Sequence, residues 1–125
     1  MLKKLYTTGA FLCFFMHPSY ALSPVPMPVP LGQQPVQVIV EHFAAQYHVS
    51  AKKLLKTMNC ESSLNIEAVG DHGHSFGLSQ IYLPAHKNIT QEQAKNPVFA
   101  TEFMASNFAK GNAGMWTCAR RFHFD

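Results

Sequence analysis

Apolar residues recur at three- and four-residue steps in separate blocks along the chain, and proline, glycine and capping residues punctuate the blocks. Val36, Ile39, Val40, Phe43 and Tyr47 form one stripe directly after Pro35, which suits a first helical position. A helix is therefore expected from Pro35 or Val36 to about His48. Ser50 is a good N-cap for a second helix through Leu54, Leu55 and Met58 to Glu61, with Lys52, Lys53 and Lys56 on its wet face. Over residues 60–83 the helical pattern stops: Gly70, Gly73 and Gly77 break up a polar run containing Asp71, His72, His74 and Ser75. This run leads into Leu78-Ser79-Gln80-Ile81-Tyr82, whose alternation predicts a strand that Pro84 ends. Thr90-Gln91-Glu92-Gln93 has capping-box form and predicts a short helix stopped by Asn96-Pro97. Pro97 opens a longer helix to about Lys110, with Phe99/Phe103 and Met104/Phe108 as i, i+4 pairs directed to the core and Gly111 as terminator. Residues 115–122 are expected to form a final helix carrying Trp116, Cys118, Arg120 and Arg121.

The first 35 residues follow different rules. Lys3 and Lys4, an apolar core over 10–16 and the small-x-small end Ser19-Tyr20-Ala21 have the form of a secretory signal, expected over residues 1–21. The apolar run is too short to span a bilayer, so export without a stable membrane anchor is expected, to the periplasm or the extracellular space. Pro24, Pro26, Pro28, Pro30 and Pro35 make residues 22–35 a stiff linker, with no packed element before Val36. Residues 36–125 are then one small domain, expected to be a monomer.

Removing the signal changes the charge. The chain has 10 Lys and Arg against 7 Asp and Glu; without Lys3 and Lys4 the excess is about +1. The sequence has no basic stripe of the kind that marks a nucleic-acid binder. Cys13 falls inside the signal, leaving Cys60 and Cys118 as one even pair in an exported chain, and a disulfide is expected between them. No third ligand lies near the pair, and neither a metal nor another cofactor is expected.

Glu61 is the candidate for chemistry. Three residues beyond Met58, it should follow the apolar face of its helix, in the last turn, where the macrodipole is negative. Both conditions favour the neutral acid, the form a general acid needs. A carboxylate at a helix end facing a small, turn-rich sheet is also the layout of a glycan cleft.

Glu61-Ser62, Asn65 and Ala68, Gly77-Leu78-Ser79-Gln80-Ile81 and Leu83-Pro84 together resemble the Glu-Ser, Asn-Pro-x-Ala and Gly-Leu-Met-Gln-Ile pattern of the soluble lytic transglycosylase branch of the lysozyme-like superfamily, over residues 44–122. The resemblance implies an α+β, mainly helical, lysozyme-like fold with a small β-hairpin or sheet beside the catalytic helix. It also implies a substrate, peptidoglycan glycan strands, and a reaction. Glu61 protonates the oxygen bridging N-acetylmuramic acid to N-acetylglucosamine, the substrate's own acetamido oxygen attacks the anomeric carbon, and Glu61 then takes the proton of the C6 hydroxyl to give a 1,6-anhydro product. No second protein carboxylate is required, in contrast to most glycosidases.

The same resemblance makes Gln80 a cleft-lining residue and brings Ser62 near the catalytic carboxylate. This chain also departs from the pattern. Ser79 stands for the usual Met, and Gly70 stands where a Ser often lies, so Ser75 is the candidate for the missing hydroxyl. The Ala-Tyr-Asn-Ala-Gly motif survives only as Asn112-Ala113-Gly114, which leaves Tyr82 as the candidate substrate-orienting tyrosine. Asp71 reads as a turn former before His72-Gly73; facing Glu61 it would hold a water and turn the reaction to hydrolysis. Trp116 has two readings, a stacking surface for a sugar ring and a core residue packed on the disulfide. The function classes are thus a lytic transglycosylase, a hydrolytic lysozyme-type muramidase, or a catalytically silent glycan-binding or assembly factor. The small size suggests local wall opening for a secretion or conjugation machine.

Overall fold

The computed structural model describes residues 28–124. The signal expected over 1–21 and the first part of the proline-rich stretch lie outside the described residues.

Helix α1, Val36–Tyr47, begins after Pro35 and ends at His48, whose left-handed backbone (φ 55°) turns the chain back. It buries Ile39, Val40 and Phe43 of the expected stripe together with Ala44, while Val36 and Tyr47 are only partly buried against the core. Ser50 caps α2, Ala51–Ser62, accepting the Lys53 N–H at 3.3 Å. The linker is less empty than its prolines suggested. A 3-10 turn forms at Leu31–Gln33, closed by Gln33 N–H to the Pro30 carbonyl at 2.9 Å, and Leu31 packs against the core. A leucine freed from the run of proline rings gains enough by burial to dock the end of the linker.

After α2 come three two-residue strands, β1 (Val69–Gly70), β2 (Ser75–Phe76) and β3 (Ile81–Tyr82), in an antiparallel sheet of order β1-β2-β3. Phe76 pairs with Val69 on one side and Ile81 on the other. The strand expected over 78–82 is confined to its last two residues. Gly77 (φ 74°) and Gln80 (φ 44°) take left-handed conformations, and the Gln80 N–H closes onto the Gly77 carbonyl at 3.1 Å, so 77–80 is a tight turn. Gly77 is demanded twice, by its φ and by space, since a Cβ there would lie 2.1 Å from the Ala94 carbonyl oxygen. Gly77→Ala is expected to destabilise the protein by about 2–3 kcal/mol in chemical unfolding, because a backbone atom cannot step aside.

The capping box at Thr90 forms as expected, with Gln93 reciprocating, and starts α3, Gln91–Lys95. Asn96 ends it and caps α4, Pro97–Ala109; Gly111 (φ 78°) follows. The phase of α4 differs from expectation. Its fully buried residues are Ala100, Thr101, Met104 and Ala105, while Phe99, Phe103 and Phe108 are half-buried. Because α4 packs against both α1 and α3, small side chains at the contact let the backbones approach, and the rings move to the flank. The Thr101 hydroxyl, fully buried, finds no hydrogen-bond partner among the described residues. Thr101→Val, of similar shape, is expected to raise stability by about 1 kcal/mol, read as a higher denaturation midpoint.

The final helix is shorter than 115–122. A 3-10 turn at Ala113–Met115 is followed by Trp116 in extended conformation (φ −99°, ψ 128°) and then by α5, Thr117–Arg121. The interruption has a cause: extended backbone at Trp116 accompanies an indole N–H donated to the Ser79 carbonyl at 2.7 Å. The result is a mainly helical α+β domain with its sheet following the C-terminal end of α2.

Candidate functional site

Glu61 lies in the last turn of α2 between two tethers. Cys60, its neighbour, is disulfide-bonded to Cys118 with the Cα atoms 6.0 Å apart. The Cys118 backbone N–H in turn donates to Glu61 Oε1 at 3.0 Å. Trp116, the N-cap of α5, offers no side-chain cap, so the Glu61 carboxylate satisfies one of the free amides at the start of that helix from across the fold. The bond spans 57 positions of sequence, and no local pattern announces it. Glu61 is half-buried, less dry than its place after Met58 suggested.

Ser62 does not turn its hydroxyl to spare use. Its Oγ lies 3.0 Å from the Met58 carbonyl and 2.8 Å from the Leu78 carbonyl, and it joins the end of α2 to the 77–80 turn. That turn is pinned elsewhere too. Ser79 Oγ donates to the Ala100 carbonyl at 2.7 Å, and the Ser79 carbonyl receives the Trp116 indole. Ser79 therefore makes a buried bond to α4 at the position where the resemblance led to the expectation of an apolar residue.

Gln80 sits at the end of this turn, half-buried, its Nε2 donating to the Gly77 carbonyl at 3.0 Å and the Ala68 carbonyl at 3.3 Å. A Cβ on residue 70 would stand 2.2 Å from Gln80 Oε1. Gly70 thus makes room for the Gln80 amide, which gives a physical reason for glycine where a serine was expected. Asp71 and His72 both have positive φ (47° and 55°), and the Gly70 carbonyl receives the Gly73 and His74 N–H groups, so Asp71 forms the turn between β1 and β2. Its carboxylate accepts the Ser75 hydroxyl, which is fully buried and so committed within the hairpin rather than offered to a ligand.

Tyr82 is 45% exposed, its ring 6.1 Å from that of His74. It borders a small cavity of about 50 Å³ with Gln80, Ile81, His86, Phe103, Met115 and Trp116. His86, Phe103 and Met115 were not read from the sequence as site residues; each comes from a different part of the chain, so only the fold assembles them. Trp116 is 5% exposed, packed edge-on to Phe103 (6.1 Å) and tilted to Phe108 (5.7 Å). Its ring is a core element, packed against other aromatic rings with little surface open to solvent.

A larger cavity, about 340 Å³, lies along α4 between Tyr47, Phe99, Glu102, Phe103, Ser106 and Lys110. Phe103 borders both cavities, and Glu61 lines neither. The Tyr47 hydroxyl donates to Glu102 at 2.9 Å; that bond first, then burial and the negative charge, hold the phenol above its ordinary range. The described residues contain no group of three His, Cys, Asp or Glu placed to share a metal ion. The tethered carboxylate ends a helix that Ser62 joins to the 77–80 turn, and exposed Tyr82 follows that turn on β3. No protein-family model matches the chain, and neither a curated protein nor a solved structure matches it.

Proposed function

We propose that the protein cleaves the β-1,4 bond between N-acetylmuramic acid and N-acetylglucosamine in peptidoglycan as a lytic transglycosylase, on a lysozyme-like scaffold. The observation that carries the reading is the placement of Glu61: a half-buried carboxylate at a helix end, tied to the Cys118 amide by one oxygen, on a helix whose next residue grips the Gln80 turn. The second carboxylate oxygen makes no hydrogen bond among the described residues and is the one to meet the glycosidic oxygen.

In this scheme Glu61 gives its proton to the bridging oxygen as the C1–O bond breaks, and the N-acetyl oxygen of the muramic acid closes on C1. The Glu61 carboxylate then takes the proton of the C6 hydroxyl, whose oxygen attacks C1 and expels the acetamido oxygen. The 1,6-anhydro end forms and the glutamic acid is restored. Asp71, exposed in its turn and engaged with Ser75, gives no support to the hydrolytic variant.

A second reading has one observation in its favour. Glu61 also serves as the cap of α5, a use that needs no catalysis, and a glycan-binding or assembly factor would retain it. Digestion of purified peptidoglycan by the wild type and Glu61→Gln, followed by mass spectrometry, separates the two. Local opening of the wall for a secretion or conjugation machine is the role proposed for this activity.

A further inference from the structure

Positive charge among the described residues is concentrated on two helices that touch, α2 and α5. Lys52, Lys53 and Lys56 are exposed on one face of α2, at i, i+1 and i+4, and α5 with the following residues adds exposed Arg120 and Arg121 beside them. The two segments are joined by the rings of the C-terminal end. The Lys56 ammonium lies 4.0 Å from the Phe122 ring centroid and 5.7 Å from that of Phe124, and the Lys53 ammonium lies 5.0 Å from Phe124. Both ammonium groups thus lie within cation–π range of aromatic rings.

Five of the eight Lys and Arg within residues 28–124 belong to these segments, which contain no carboxylate over 51–57 or 117–124. The other three face six carboxylates, a net of −3 over the remaining described residues. Among the described residues none of the five cations enters an ion pair, and the salt bridge found there joins Lys95 to Glu67. Arg120 is anchored to the Gly114 carbonyl and to Thr117 Oγ1, and Glu61, further along α2, is turned to the Cys118 amide.

We propose that this basic face docks the protein on an anionic lipid bilayer, with the cations among the headgroups. Charge complementarity names an anionic partner, and the rings select the bilayer. Phe122 and Phe124, half-buried and 5.6 Å apart, place aromatic surface among cations, the composition suited to the headgroup boundary. A soluble phosphate polymer would gain nothing from them. The docking is peripheral and reversible, and it is independent of any chemistry at Glu61.

The test is co-sedimentation of the protein with phosphatidylcholine vesicles, with and without phosphatidylglycerol, and a parallel titration with inorganic polyphosphate. Of the two kinds of vesicle, only the anionic one is expected to bind, and binding is expected to fade between about 0.1 M and about 1 M salt, as the screening length falls from roughly 10 Å to roughly 3 Å. A Lys52→Gln, Lys53→Gln, Arg121→Gln variant should bind about fivefold more weakly per charge removed, roughly a hundredfold in all. The triple change at Lys87, Lys95 and Lys110, which lowers the net charge equally elsewhere, should lose far less. Phe122→Ala should weaken vesicle binding and leave polyphosphate binding unchanged. Equal losses from both triple variants would reduce the effect to net charge and overturn the proposal. Unchanged vesicle binding by Phe122→Ala would overturn it in favour of a soluble anionic polymer.

Discussion

Glu61→Gln is expected to lower peptidoglycan turnover by about a hundred- to ten-thousandfold, the usual contribution of a positioned general acid and base. The fold should survive, because the glutamine amide keeps an oxygen for the Cys118 N–H that Glu61 Oε1 now receives at 3.0 Å. Glu61→Ala loses both functions, and its unfolding midpoint should drop by the value of a helix cap, about 1 kcal/mol. The pair of variants therefore separates chemistry from capping. The product identifies the mechanism: muropeptides about 18 to 20 Da lighter than their hydrolytic counterparts mean capture by the C6 hydroxyl, and full-mass reducing ends mean water. Glu61→Gln digesting at the wild-type rate would remove the acid role. Glycan binding by both proteins with turnover by neither would leave the capping carboxylate of a binding module.

Breaking the Cys60–Cys118 bond is expected to have the largest effect on stability. The link closes a loop of 58 residues in sequence separation, and replacing both cysteines by serine should cost about 4 kcal/mol by the loss of that constraint on the unfolded chain. Urea unfolding of the double variant measures it; a loss under about 1 kcal/mol would show that packing of α5 against α2 already supplies the constraint. The double variant should also lose activity under conditions where it stays folded. Cys60 precedes Glu61 in the chain and Cys118 supplies the amide that orients its carboxylate, so the disulfide and the hydrogen bond hold the same two points together.

Much of the scaffold was legible without coordinates. The Ser50 cap, the Thr90 capping box, Pro97 as a helix start and the even cysteine pair are all short-range or compositional signals, and each element stands within a residue or two of its expected place. The readings that changed were those in which a local pattern has more than one tertiary solution. Alternation over 78–82 reads as a strand, but two left-handed residues curl it into a turn that three distant partners hold. The aromatic pairs of α4 read as core, but close helix packing on both sides selects alanines for that face.

The candidate site divides along the same line. Glu61 could be singled out from the apolar phase of its helix and Asp71 from the glycine-punctuated stretch that follows, whereas Gln80 and Tyr82 became candidates only through the resemblance of the motifs. The uses of Ser62, Ser75 and Trp116 could not be read there, since each hydroxyl or indole N–H serves a partner that depends on how the turn meets α2, α4 or the hairpin. Periodicity, caps and cysteine count act over a few residues or through composition, so the sequence by itself determined the helices, their order, and which carboxylate stands at a helix end. Tertiary structure alone decided that this carboxylate meets the amide of Cys118, that Gly70 yields its space to Gln80, and that the lysines of α2 lie over the rings of the C-terminal segment. Those contacts join points far apart in the chain, and only packing of the whole core brings them within bonding distance.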